Sequence, residues 1–156
     1  MAAKSSTRRK AATPAWVVLK FGGTSVSSVE RWETIAALVR QRLAEGLRPV
    51  VVHSALATVS NKLDELLHRA LEMDVTAEIA GIRALHLQLA AGLQVDGEKE
   101  LGGYFLELEQ LLAGIHLIRE VSPRIQARVM GLGELMATRQ QLTEEMRKLL
   151  ADYRPP

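Results

Sequence analysis

Trp16-Val17-Val18-Leu19-Lys20-Phe21-Gly22-Gly23-Thr24-Ser25-Val26 decides the fold. Its first six residues are β-formers around one lysine and read as a buried strand. Gly22-Gly23-Thr24-Ser25 ends that strand. Trp32, Ile35, Ala36, Val39 and Leu43 then recur at helical spacing, and Gly46 stands where a helix C′ glycine belongs. Pro49-Val50-Val51-Val52-His53 reads as a second strand. Strand, helix and strand make a βαβ unit, with parallel strands and a right-handed crossover.

Beyond His53 the pattern turns helical. Val59, Leu63, Leu66, Leu67 and Ala70 form one stripe, and Ile79, Ile82, Leu85, Leu89 and Leu93 form another. Asp96 is placed to cap a third helix carrying Leu101, Tyr104, Phe105, Leu108, Leu111, Leu112 and Ile115. Ser122-Pro123 reads as an N-cap with proline at the first helical position. Gly131-Leu132-Gly133 is expected to interrupt that helix, with a last one from Glu134 to about Leu150. Two strands fall short of the roughly 4–6 of an ordinary sheet, so the pattern describes part of a larger domain or a sheet that needs a covering partner.

The 156 residues are 47% hydrophobic and 24% charged, an ordinary globular mix. No apolar run reaches the roughly 18 residues of a membrane span, and no apolar segment makes a secretory signal. There is no cysteine, which excludes disulfide and thiolate chemistry and suits the cytoplasm. The net charge of +2 comes from Lys4, Arg8, Arg9 and Lys10; without them, 16 basic residues face 18 acidic ones. Residues 1–15 read as a disordered basic leader. Nucleic-acid binding would rest on that leader alone, with no aromatic stacking residues beside it, and is not expected.

Three segments carry chemistry. Lys20-Phe21-Gly22-Gly23-Thr24-Ser25-Val26 lies at the C-terminal end of a strand, where ligands bind in open α/β sheets. Glycines let peptide N–H groups approach a phosphate, and a lysine neutralises charge on a transferring phosphoryl group. Alone, the string is equally a tight βα turn with a solvated lysine. His53-Ser54-Ala55-Leu56-Ala57-Thr58-Val59-Ser60-Asn61 follows the second strand at the same edge. Its hydroxyls suit a polar substrate, or Ser60 or Asn61 simply caps the next helix. In Gly131-Leu132-Gly133-Glu134-Leu135-Met136, the glutamate suits either a substrate ammonium or a helix dipole. That segment is no dinucleotide fingerprint, since it follows a helix and its third glycine position is Met136.

Together, in this order and spacing, the segments resemble the signatures of the aspartate kinases. Lys-Phe-Gly-Gly-Thr-Ser-Val resembles their opening string, Ser-Ala…Ser-Asn their Ser-Ala…Thr-Asn segment, and Gly-Glu-Leu-Met their Gly-Glu-Leu/Arg-Met/Leu-Ser segment. The resemblance covers almost all of residues 16–150. It implies the N-terminal part of an amino-acid kinase domain over 16–156, an incomplete three-layer αβα fold that is helix-rich with two or more parallel strands. It implies ATP-dependent phosphorylation of the L-aspartate side-chain carboxylate, the first step toward lysine, threonine and methionine. Lys20 would stabilise the phosphoryl group, and Phe21, Gly22 and Gly23 would lie along the ATP phosphates. Ser54, Ser60 and Glu134 would bind aspartate, Glu134 through its amino group. ATP and Mg²⁺ would be completed by residues this chain does not contain, so the chain alone is expected to be inactive and the parent enzyme to be a homo-oligomer. No residue here is assigned to a metal. Ser60 replaces a threonine and Ala137 a serine. A looser resemblance is to bifunctional aspartate kinase/diaminopimelate decarboxylases. The alternative is a non-catalytic assembly or dimerisation segment of such an enzyme.

His53, His68, His86 and His116 share no ligand spacing and read as structural or surface residues. Met130 and Met136 read as core filler. Glu144-Glu145 and Arg147-Lys148 read as a solvated helix face.

Overall fold

A computed structural model of the chain describes residues 15–140. The expected leader, apart from Ala15, and the Glu144–Lys148 face lie outside the described residues. The elements run β1 (Trp16–Phe21), a 3₁₀ turn (Gly23–Val26), α1 (Val29–Ala44), β2 (Arg48–His53), α2 (Val59–Ala70), α3 (Thr76–Gly92), α4 (Gly97–Ile118) and α5 (Pro123–Gln140).

β1 and β2 pair in parallel, from Trp16 opposite Arg48 to Phe21 opposite His53. This is the expected βαβ unit. α1 ends in a Schellman motif: Gly46 takes φ +75°, its N–H donates to Leu43 O, and the Leu47 N–H donates to Arg42 O, each at 3.0 Å. A side chain at that positive φ would be strained.

The strands are not buried on both faces, as the apolar run suggested. Leu19, Phe21 and Val51 pack against the core, while Trp16 and Val18 on the other face are 61% and 65% exposed. Val50 and Val52 share that open face, and Arg48 stacks over Trp16 at 5.5 Å. A two-residue side-chain period puts every second residue there, and no helical layer covers it among the described residues.

The core is helical. Val59, Leu63, Leu66, Leu67 and Ala70 of α2 are all buried, as their spacing predicts. They meet Leu101, Phe105, Leu108, Leu112 and Ile115 of α4 and Val129, Leu132 and Met136 of α5. On α3, Ile79, Ile82 and Leu89 are buried, but His86 takes the inner position and Leu85 turns outward. His86 sits edge-on to Phe105, ring centroids 6.0 Å apart, so it is a core histidine. Asp96 caps α4 by accepting from the Lys99 N–H at 3.1 Å, and Ser122 caps α5 through the Ile125 N–H at 3.3 Å.

Two expectations are corrected. Ser60 and Asn61 lie inside the first turn of α2, whose cap position is Thr58, so neither caps it. Gly131 and Gly133 do not interrupt α5, which runs unbroken from Pro123 to Gln140, and Glu134 is therefore mid-helix rather than in a first turn. Glycine costs a helix about 1 kcal/mol relative to alanine. Burial of Val129, Leu132, Met136 and Ala137 on this helix outweighs that penalty.

Candidate functional site

The candidate site is built at the C-terminal edge of the sheet, from the loop after each strand. Gly22 leaves β1 in an extended conformation, and the Ser25 N–H closes the following turn onto Gly22 O at 2.9 Å. A Cβ at Gly22 would meet no atom within 4 Å, so this peptide is open to a ligand. A Cβ at Gly23 would lie 2.7 Å from Ala55 O and 3.2 Å from Ala57 N, so only glycine lets the two loops meet here.

α1 holds the turn from below. The buried Trp32 indole N–H donates to Val26 O at 2.8 Å, and the Arg31 guanidinium donates to Thr24 O. The His53 ring stands edge-on to Trp32 at 5.8 Å, with Nδ1 3.1 Å from Ser54 O. One indole therefore supports both the β1 loop and the end of β2. Glu30, in the first turn of α1, holds its carboxyl below the usual carboxylate value. Its own backbone N–H is the main cause and the Ser28 hydroxyl the next.

α5 completes the edge. A Cβ at Gly133 would lie 3.0 Å from Leu63 Cδ1, 3.4 Å from Ala55 Cβ and 3.5 Å from Val59 Cγ1. Ala55 is thus the common neighbour of Gly23 and Gly133. Three segments far apart in sequence meet around one buried alanine.

The sequence matches the amino acid kinase family over residues 15–155. The chain belongs to that family. It is 38% identical over 130 residues to the chloroplastic aspartokinase 2 of Arabidopsis thaliana, covering 78% of this chain and 23% of that protein. It is 35% identical over 127 residues to aspartokinase 3 of the same plant, covering 78% and 22%. Aspartokinase III of E. coli, solved with aspartate and ADP, shares the fold with a TM-score of 0.71 at 24% identity, covering 86% of this chain and 29% of that one. The chain spans about a quarter of the length of these relatives.

Within this amino acid kinase chain the expected residues fall as follows. Lys20 is exposed on the open face of the sheet, opposite Val52. Phe21 faces the other way, against the core, so it offers a ligand only its backbone. Ser54 and Ser60 are half-buried on either side of Ala55–Val59, and Glu134 is exposed on α5, one residue after Gly133. Ser27, Arg31 and Trp32 were not singled out from sequence as partners of the loops. The run of hydroxyls Thr24, Ser25, Ser27 and Ser28 was the available signal for Ser27. Among the described residues no group of three or more His, Cys, Asp or Glu side chains could hold a metal ion. Among them, too, no helix is long and apolar enough to cross a membrane.

Proposed function

We propose that this chain supplies the phosphate-side loop and the acceptor-side loop of an aspartate kinase. The convergence of Gly23 and Gly133 on Ala55 carries the reading, because it gathers the three signature segments at one sheet edge. The open peptide at Gly22 and the close approach at Gly23 fit a nucleotide phosphate chain. The described residues hold no cage for Mg²⁺, and no step is assigned to it.

ATP would supply the γ-phosphoryl group. Lys20 would place an ammonium beside the phosphoryl oxygens as charge builds on them, which counts most in the transition state. Ser54 and Ser60 would hold the acceptor carboxylate, and Glu134 the substrate ammonium. The acceptor oxygen would bond to phosphorus as the bond to the leaving ADP oxygen breaks. The product would be 4-phospho-L-aspartate, which enters lysine, threonine and methionine synthesis. With no cysteine, the chain has no disulfide to lose, so this reading is compatible with the cytoplasm.

The test is a chimera in which residues 15–140 replace the matching stretch of the Arabidopsis aspartokinase 2. Aspartate-dependent ADP release from a folded chimera supports the reading; a folded chimera that binds ATP but never phosphorylates aspartate refutes it. The exposed apolar face of Trp16, Val18, Val50 and Val52 favours a second reading, a non-catalytic assembly segment, which that refuting result would favour.

A further inference from the structure

The two loops at the sheet edge touch, yet among the described residues no backbone–backbone hydrogen bond joins residues 22–28 to residues 54–60. One hydroxyl hydrogen-bonds across them. Ser27 Oγ donates to Gly23 O at 2.6 Å and accepts from the Ala57 N–H at 2.9 Å. A serine hydroxyl has one proton and two lone pairs, so it makes both bonds at once. The first bond closes the β1 loop on itself across four residues. The second crosses to the β2 loop, thirty residues away in sequence.

Neither bond is needed to fold the core. Ser27 is exposed, and the elements on either side are anchored independently, α1 through Trp32 and α2 through Val59 and Leu63. What the hydroxyl fixes is the gap. Gly23 lies so close to Ala55 O and Ala57 N that a change of a few tenths of an ångström alters what fits between the loops. Without the hydroxyl, the Ala57 N–H would turn to water and the loops would hold their spacing only through contact.

We infer that Ser27 is a positioning residue, whose hydroxyl sets the separation of the phosphate-side loop, Gly22–Val26, from the acceptor-side loop, Ser54–Thr58, that leads into α2. The inference rests on reading those loops as the ATP and aspartate sides of one site. Transfer between two bound groups depends steeply on their separation, and a 1 Å misplacement costs on the order of 10²-fold in rate. A bridge between the loops is where such a distance is set.

The experiment uses the ¹⁵N-labelled full chain as wild type, Ser27→Ala and Ser27→Thr, with ATP as the probe. Loss of the acceptor should speed hydrogen exchange at the Ala57 amide by about tenfold in Ser27→Ala, and Ser27→Thr should restore it. Amides of Leu63 and Val51 should not change, which shows that the fold is intact. ATP should shift the amides of Gly22–Thr24 in all three proteins. The shift should reach Ala57 in the wild type and in Ser27→Thr but not in Ser27→Ala, a coupling that a merely structural serine would not produce. Unchanged Ala57 exchange in Ser27→Ala, or equal ATP responses at Ala57 in all three, overturns the inference. The ATP reading itself is judged on the aspartokinase 2 chimera, and if ATP shifts no amide of the wild-type chain, Ala57 exchange alone decides: faster exchange in Ser27→Ala supports the inference and unchanged exchange overturns it.

Discussion

The α-carbon of Gly133 packs on Leu63: a Cβ there would stand 3.0 Å from Leu63 Cδ1, with Ala55 Cβ at 3.4 Å behind it. Two residues earlier, a Cβ at Gly131 would meet nothing within 4 Å. The two glycines of one helix therefore answer differently to the same change. Gly131→Ala gains helix propensity without a clash and should raise stability by about 0.5–1 kcal/mol. Gly133→Ala gains the same propensity but must displace Leu63, so most of that gain should vanish. Gly133→Val should lower stability by about 1–3 kcal/mol through overpacking. Urea unfolding of the three variants checks the ordering, and an equal gain at both positions would contradict the packing.

Thr58 sits at φ +71° just before α2. A β-branched residue in the left-handed region carries about 1–2 kcal/mol of strain. Its side chain is exposed and makes no capping bond, so little is lost by removing it. Thr58→Gly should stabilise the chain by roughly 0.5–1 kcal/mol, the strain relieved less the extra entropy of an unfolded glycine. Thr58→Ala keeps the Cβ and should gain far less. A rise in urea midpoint for glycine and not for alanine is the expected pattern.

Acid should weaken the chain in a defined window. Arg128 donates to both Glu107 oxygens, at 2.5 and 2.7 Å, and this hydrogen bonding holds the Glu107 carboxyl below its ordinary 4.5. Asp74 accepts from the Thr76 hydroxyl and N–H at 2.6 and 2.8 Å, which holds it below 3.8. A carboxyl with a depressed folded value contributes stability that is fully present above its unfolded value and lost as pH falls through the folded one. The contribution of these two carboxyls should thus be flat from pH 7 down to about 5 and fall below about 4.5. The Arg83 and Arg128 guanidinium groups, raised by Glu98 and Glu107, stay charged throughout and add no slope. Glu107→Gln and Asp74→Asn should each lower the pH 7 thermal midpoint and shrink its drop between pH 5 and pH 3. A drop as large in both variants as in the wild type would show that other carboxyls carry the effect.

The βαβ unit was legible because three local signals agreed: β-formers in two short runs, a helical stripe between them and a C′ glycine at Gly46. The stripes of α2 and α4 were legible for the same reason. What sequence misjudged was tertiary. Gly131 and Gly133 look like a break, and only the burial of Val129, Leu132 and Met136 explains why the helix continues through them. His86 reads as structural or surface, and only its position on α3, against Phe105, decides for structural. At the site, residue types marked the three segments, while the Ser27 and Trp32 bonds that hold the loops depend on a geometry no spacing announces.

The proposed roles of Lys20 and Glu134 separate in kinetics. Lys20 lies on the open face of β1 at the sheet's carboxyl edge, and Glu134 is exposed on α5, one residue after the Gly133 that packs on Ala55. A fixed ammonium stabilises the transferring phosphoryl group more in the transition state than in the bound ground state. Removing such a group costs roughly 10²–10³ in turnover, by analogy with loss of one oxyanion donor. In the aspartokinase 2 chimera, Lys20→Ala should lower kcat by about that factor, and Lys20→Arg should recover little, since a planar guanidinium does not replace a compact ammonium. Glu134→Ala removes a partner of the substrate ammonium and should raise KM for aspartate while KM for ATP stays nearly constant. Steady-state kinetics on the chimera and its variants, with circular dichroism to confirm folding, reads both effects. The isolated chain, which spans about a quarter of its relatives, should form no aspartyl phosphate with ATP and magnesium. Near-normal kcat in Lys20→Ala would make Lys20 a solvated strand end, and a rise in KM for ATP in Glu134→Ala would put that carboxylate on the nucleotide side.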